Sequence, residues 1–144
     1  MKLSSVRVAT DDVATLAAFY ARITGTTPVG ASDYTELATS GATLALCSRE
    51  ALVAASPGAA GSGRVAAAPT DSSVILEFEV DDLDAVREHL RDGGGVREWV
   101  QEPTDQPWGN RSMLLRDPDG NLVNVFTPIA GADRGWPSQA PSGG

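Results

Sequence analysis

Residues 111 to 128 read RSMLLRDPDGNLVNVFTP, two apolar runs joined by Asp117-Pro118-Asp119-Gly120-Asn121. Proline at the second turn position and glycine at the fourth suit a type I turn. RSMLLR (111–116) and LVNVFT (122–127) are therefore expected as strands joined by a tight turn. One residue resists that reading: Asn124, a polar amide inside Leu-Val-x-Val-Phe. Upstream, VREWVQ (96–101) supplies a further strand. Before it comes SSVILEFEVDD, followed by LDAVREHLRDGGG, which is a strand, an Asp-Asp boundary and a helix ended by glycine. Leu83, Val86 and Leu90 fall on one face at helical spacing. Asp81 or Asp82 is the expected N-cap and Gly93 the expected C-cap glycine.

The first half of the chain repeats this plan. SSVRVATDD precedes VATLAAFYARITG, in which Val13, Leu16, Ala17, Tyr20 and Ile23 share a face, with Asp11 or Asp12 as cap and Gly25 as stop. TPVGAS (27–32), YTELATS (34–40) and ATLALCS (42–48) follow as strand candidates, with Ser40-Gly41 as a hairpin turn, and REALVAA (49–55) as a short helix. The chain thus reads as α+β: a first βαβββ module over 1–53, a linker over 54–72, a second module over 73–128 and a tail over 129–144. A helix covers one face of such a sheet and the other face must meet something else. Two sheets side by side are expected to curve into an open, barrel-like sheet with a central cleft, within one compact domain.

Composition narrows the function classes. At 144 residues the chain can bury a substantial core. With 19 acidic against 11 basic residues, net charge −8, it lacks the basic footprint of a nucleic-acid binder. No stretch approaches the ~20 apolar residues of a membrane helix. The start turns acidic before a secretion signal could form, so cytoplasmic residence is expected. The single cysteine, Cys47, excludes an intrachain disulfide.

Taken in order, Asp12 with Phe19-Tyr20 and Gly25, then Phe78-Glu79-Val80-Asp81-Asp82, then Trp108-Gly109, then Asp117 to Asn121, resemble the vicinal-oxygen-chelate superfamily. That superfamily includes glyoxalase I, extradiol dioxygenases, fosfomycin-resistance enzymes and bleomycin-binding proteins, and the likeness spans about residues 3 to 128. The resemblance implies a divalent metal in the cleft of the enzymes. One ligand, His or Gln, would sit seven residues before the first helix's Asp, at Ser5. Another, His, would sit seven before Asp82, at Ile75. A third, Glu, would lie four after Gly120, at Asn124. A fourth carboxylate, on the last strand of the first half, has no counterpart in ATLALCS. Such a site needs about three strong donors, and serine, isoleucine and asparagine do not supply them. No catalytic metal and no cofactor are expected.

Strand alternation assigns the other cleft residues. Ser5, Arg7 and Ala9 are expected inward on the first strand, Ile75, Glu77 and Glu79 on the strand opening the second half, and Leu122, Asn124 and Phe126 on the last. Val6, Val8, Val74, Leu76, Phe78, Val80, Val123 and Val125 are expected to face the helices. Arg7 and Glu77 are candidates for a polar pair in the cleft. Trp99 and Trp108 are candidates for a ligand-binding wall, since indoles supply large flat area at low entropic cost. Tyr34 and Met113 are weaker wall candidates, and Trp136 is expected as a packing contact. His89, on the second long helix, reads as solvated, and Cys47 as a buried structural thiol, since no second histidine could activate it.

The expected function is a metal-free binding protein that sequesters an aromatic or amphipathic natural product. No catalytic residue is assigned. The resemblance to bleomycin-type resistance proteins implies a homodimer with its ligand grooves at the dimer interface. The alternative is a lyase or isomerase acting on a small metabolite, with Glu77 as general base and Arg7 steadying an anion.

Overall fold

The computed structural model describes residues 1–55 and 74–131. The element order is β1 (Ser5–Thr10), α1 (Val13–Thr24), β2 (Val29–Ala31), β3 (Tyr34–Ala38), β4 (Thr43–Ser48), α2 (Arg49–Ala55), β5 (Ile75–Glu79), α3 (Leu83–Gly93), β6 (Glu98–Asp105), β7 (Asn110–Arg116) and β8 (Leu122–Pro128). Both βαβββ units are present. The first sheet runs β1-β4-β3-β2 and the second β5-β8-β7-β6. In each, the opening strand lies parallel to the last strand of its module, and the other neighbours pair antiparallel. Helix α2 runs through Ala55, two residues into the expected linker, while the rest of that linker and Trp136 lie outside the described residues.

The helices begin and end where local chemistry dictates. Asp12 accepts from Thr15 N at 3.0 Å and Asp82 from Ala85 N at 3.1 Å, each satisfying a backbone donor of a first turn. The Thr15 hydroxyl and amide together hold the Asp12 carboxyl below the usual carboxylate range. Gly25 stops α1 in the left-handed region at φ 68°. In α3 the expected stop, Gly93, is the last helical residue, and Gly94 caps at φ 69°. Arg22 of α1 crosses at Gly93, where a Cβ would overlap its guanidinium, so glycine serves close approach there and not the stop.

One core joins the modules. Leu16, Phe19, Tyr20 and Leu46 from the first half pack with Leu83, Leu90, Met113 and Val123 from the second. The Tyr20 ring lies 5.8 Å from the Phe78 ring, centroid to centroid. Its hydroxyl donates to Asp117 Oδ2 at 2.5 Å. Asp117, fully buried, also accepts from the Asp119 and Asn121 amides, both at 2.9 Å, and from Asn121 Nδ2 at 2.8 Å. Four donors make a buried carboxylate tolerable, so the turn does more than reverse the chain. It is a socket for the first helix.

Neither sheet closes on itself, and β1 and β5 are both edge strands that do not pair with one another. The expected cleft is therefore not enclosed by one continuous sheet among the described residues. Alternation holds along the strands: Val123 and Val125 are in the core, and Val8, Leu76, Phe78 and Val80 pack against it. Val74 is a correction, lying before β5 and largely exposed. Among the described residues no helix is long and apolar enough to cross a membrane.

Candidate functional site

Face away from the shared core, and the second sheet presents β5 and β8 in parallel register: Ile75 opposite Leu122, Glu77 opposite Asn124, Glu79 opposite Phe126. Asn124 Nδ2 donates to Glu77 Oε1 at 2.9 Å. That bond answers for the amide in the middle of an apolar strand, because it fixes the neighbouring carboxylate. Across β7, Leu114 continues the Asn124 row and Ser112 the Phe126 row. The result is a patch with an amide-held carboxylate, an aromatic ring and aliphatic flanks.

On the first sheet the corresponding face carries Ser5, Arg7 and Ala9 on β1. Arg7 pairs in register with Ala45, which pairs with Glu36; Ala9 pairs with Cys47, which pairs with Tyr34. Small side chains in the middle strand form a floor, with Arg7 on one side and Glu36 and Tyr34 on the other. The Tyr34 hydroxyl donates to Glu36 Oε2 at 2.7 Å, and chiefly this bond raises the phenol's pKa. Burial raises that of the Cys47 thiol, and the nearby Arg7 charge only partly offsets it. A thiol pushed up in this way is a poor nucleophile.

Arg7 and Glu77, expected as a pair in one cleft, belong to these two different sheets, and Glu77 is engaged by Asn124 instead. The positions of the family's metal ligands are likewise divided between the two sheets. Ser5 lies on the first sheet, while Ile75 and Asn124 lie on the second, and Asn124 directs its amide nitrogen, which cannot coordinate, at Glu77. This donor set does not fit a divalent cation. Among the described residues no group of three or more His, Cys, Asp or Glu side chains gathers elsewhere.

Two wall candidates are placed elsewhere. Met113 pairs with Val125 and is fully buried in the core. The hairpin register contains the reason: Arg116 meets Leu122, so three residues back Met113 must meet core-facing Val125. Trp99 pairs with Leu115, packs against the core, and carries the Arg87 guanidinium 5.7 Å above its ring. A register shift between Trp99 and Gln101 defeats simple alternation along β6. Trp108, more than a third exposed, sits in the turn between β6 and β7. That turn is tied by Gln106 N to Asn110 O at 2.7 Å and Gly109 N to Gln106 O at 3.1 Å.

A second concavity was not anticipated. A groove of about 1020 Å³ runs between the modules, bounded by the α1 C-terminus, the β3–β4 turn, strand β5 and helix α3. Val6, Ile23, Leu44, Leu76 and Phe78 line it, with Arg22 and His89. Of the expected cleft residues Ile75, Glu77 and Glu79, all on β5, touch it. Its signal in the sequence was the helical spacing of Asp82, Ala85, Val86 and His89, which puts the lone histidine on the same side of α3 as groove residues.

Comparison with known proteins now fits this geometry. The family profile described as the Glyoxalase/Bleomycin resistance protein/Dioxygenase superfamily matches residues 2–125. The chain belongs to this superfamily. Solved structures agree in fold. A glyoxalase/bleomycin resistance protein/dioxygenase family enzyme from Burkholderia phytofirmans PsJN superposes with a TM-score of 0.71 at 19% identity, covering 90% of this chain and 100% of that one. A superfamily member from Nocardioides gives 0.66 at 22% identity, covering 94% and 89%. TioX from Micromonospora sp. ML1 gives 0.59 at 20% identity, covering 90% and 100%. No curated protein matches the chain significantly. At these identities the superfamily likeness speaks for the fold and leaves chemistry to the residues in place.

Proposed function

We propose that this superfamily member is a cytoplasmic, metal-free small-molecule binding protein that sequesters an aromatic or amphipathic natural product. The observation that carries this reading is Asn124. It stands where the superfamily's metal-binding glutamate is expected, and its amide nitrogen is spent on Glu77. Ser5 and Ile75 at the other two positions remove the remaining strong donors. What the open faces offer instead is recognition chemistry: Phe126 and Ile75 for apolar area, the Glu77–Asn124 pair for hydrogen bonding, and Arg7 beside the Ala45 floor for charge.

A homodimer belongs to this proposal. The two recognition faces lie on separate sheets of one chain, and both opening strands have a free edge. A second copy that brings its Glu77–Asn124–Phe126 face to the Ser5–Arg7 face would complete a cleft. The enzymatic alternative, a lyase or isomerase with Glu77 as base and Arg7 as anion anchor, would use the same juncture between copies.

The test is a fluorescence titration of the purified protein, in the presence of a chelator, with a panel of aromatic antibiotics and metabolites. Saturable binding at micromolar concentration, weakened at least tenfold in Asn124→Ala and Arg7→Gln, is the expected result. Absence of binding by every compound, or turnover of one of them, would count against sequestration.

A further inference from the structure

The groove between the modules runs along the helix side of β5, reached by Leu76, Phe78 and Val80, and borders the open face at Ile75, Glu77 and Glu79. Its far end, at α1 and α3, takes no part in the proposed function. Its composition is asymmetric. The middle is apolar, formed by Val6, Ile23, Leu44, Leu76 and Phe78. The carboxylates follow β5 and its junction with α3, from Glu77 and Glu79 at the strand to Asp81 and Asp82 at the N-terminus of the helix. At the far end stand His89 and Arg22. Their proximity follows from two contacts along α3. His89 and Gly93 are four residues apart and so share a face of the helix. Arg22 crosses that face at Gly93, close enough that a Cβ there would overlap its guanidinium. The imidazole and the guanidinium are therefore neighbours, one helical turn apart.

Arg22 is also poorly compensated. Its one hydrogen bond among the described residues is from Nη1 to the Gly94 carbonyl, at 3.4 Å, and no carboxylate of the described residues forms an ion pair with it. A guanidinium with spare donors, beside an imidazole at the end of an apolar trough, is complementary to an anion carried on an apolar body. The rise of α3 from Asp82 to His89 separates the two polar ends by about 10 Å. The acidic end repels an anion, so the ligand's orientation is set.

We infer that the inter-module groove is a binding site for an amphipathic monoanion, with its carboxylate or sulfonate at Arg22 and His89 and its apolar part along Val6, Ile23, Leu44, Leu76 and Phe78. The site borders the open face at Ile75, Glu77 and Glu79, but its anion end at Arg22 and His89 lies off that face, so variants there and at Asn124 tell the two apart.

The experiment uses the full chain with 8-anilinonaphthalene-1-sulfonate as fluorescent probe, displaced by three ligands sharing one tail: decanoate, decanol and decyltrimethylammonium. Decanoate is expected to displace the probe at roughly tenfold lower concentration than either of the others, the worth of one charge-assisted contact. Arg22→Gln and His89→Gln each remove that preference, and Arg22→Lys keeps part of it. Ala85→Trp, at an exposed groove position of α3, blocks displacement without touching the core. Circular dichroism and sedimentation accompany each variant, and His89→Gln stands in if Arg22→Gln does not fold. Equal displacement by all three headgroups overturns the inference, as does no probe binding at all. So does loss of decanoate binding in Asn124→Ala but not in Ala85→Trp, which would place the anion on the open face. If Ala85→Trp instead dissociates a dimer, the groove belongs to a second copy and the inference fails.

Discussion

Replacing Tyr20 with phenylalanine removes a single oxygen and asks how much the DPDGN turn contributes beyond reversing the chain. The ring keeps its place against Phe19 and Phe78, so little apolar burial is lost. What goes is the hydroxyl's hydrogen bond to the fully buried Asp117. A bond to a charged acceptor contributes about 1.5–3 kcal/mol, and Asp117 retains three of its four donors, which favours the lower half of that range. With a urea slope near 2 kcal/mol/M, the midpoint falls by about 1 M. The pH dependence is a second signature. Burial, reinforced by Asp117, pushes the Tyr20 phenol far above its ordinary value of 10. Its folded pKa exceeds its unfolded one, so the native state holds a proton that the unfolded chain releases above pH 10. The contribution is fully present below pH 10 and is lost above it, at up to about 1.4 kcal/mol per pH unit. Urea melts followed by tryptophan fluorescence at neutral pH and above pH 10, on wild type, Tyr20→Phe, Asp117→Ala and the double variant, check both. A coupling energy below about 0.5 kcal/mol between the two positions would refute the role of the bond. So would an identical alkaline loss in wild type and Tyr20→Phe.

Three smaller perturbations follow from the same structure. Gly30→Ala places a Cβ into the Tyr34 and Thr35 backbone at φ 150°, and should cost about 1–3 kcal/mol in the same urea assay. Asp82→Ala removes the cap of α3 and should cost about 1 kcal/mol, with a visible loss of helical circular dichroism. Arg87→Ala uncovers Trp99 and breaks the pair with Glu102, so it should shift tryptophan emission to the red while leaving ligand affinity on the open faces unchanged.

The fold was legible because its local signals are strong. Paired Asp caps, glycine stops and the Asp-Pro-Asp-Gly turn each act within a few residues, and their order repeats. The faces of β1, β5 and β8 were legible too, since alternation needs only one reference residue. Contacts between distant segments were not. Tyr20 and Asp117 are both conspicuous in the sequence, yet nothing local says that a phenol 97 residues upstream closes the turn. Met113 was recoverable, because the turn's register ties it to Val125. Trp99 was not, because the irregular pairing of β6 breaks the alternation that would place it. The groove escaped notice for the same reason as the Tyr20 bond: it exists only once α1 and α3 cross, at Arg22 and Gly93. His89 is the exposed helix residue the sequence suggests, and it lines the groove as well because of that crossing.

Metal affinity tests the central claim most directly. Calorimetric titration of the chelator-treated protein with Mn²⁺, Ni²⁺, Zn²⁺ and Fe²⁺ should give no saturable uptake, because Ser5, Ile75 and Asn124 offer no set of strong donors. Stoichiometric binding of any of these ions, lost when Asn124 or Glu77 is replaced by alanine, would contradict the account and return the protein to the metal-dependent branch of its superfamily.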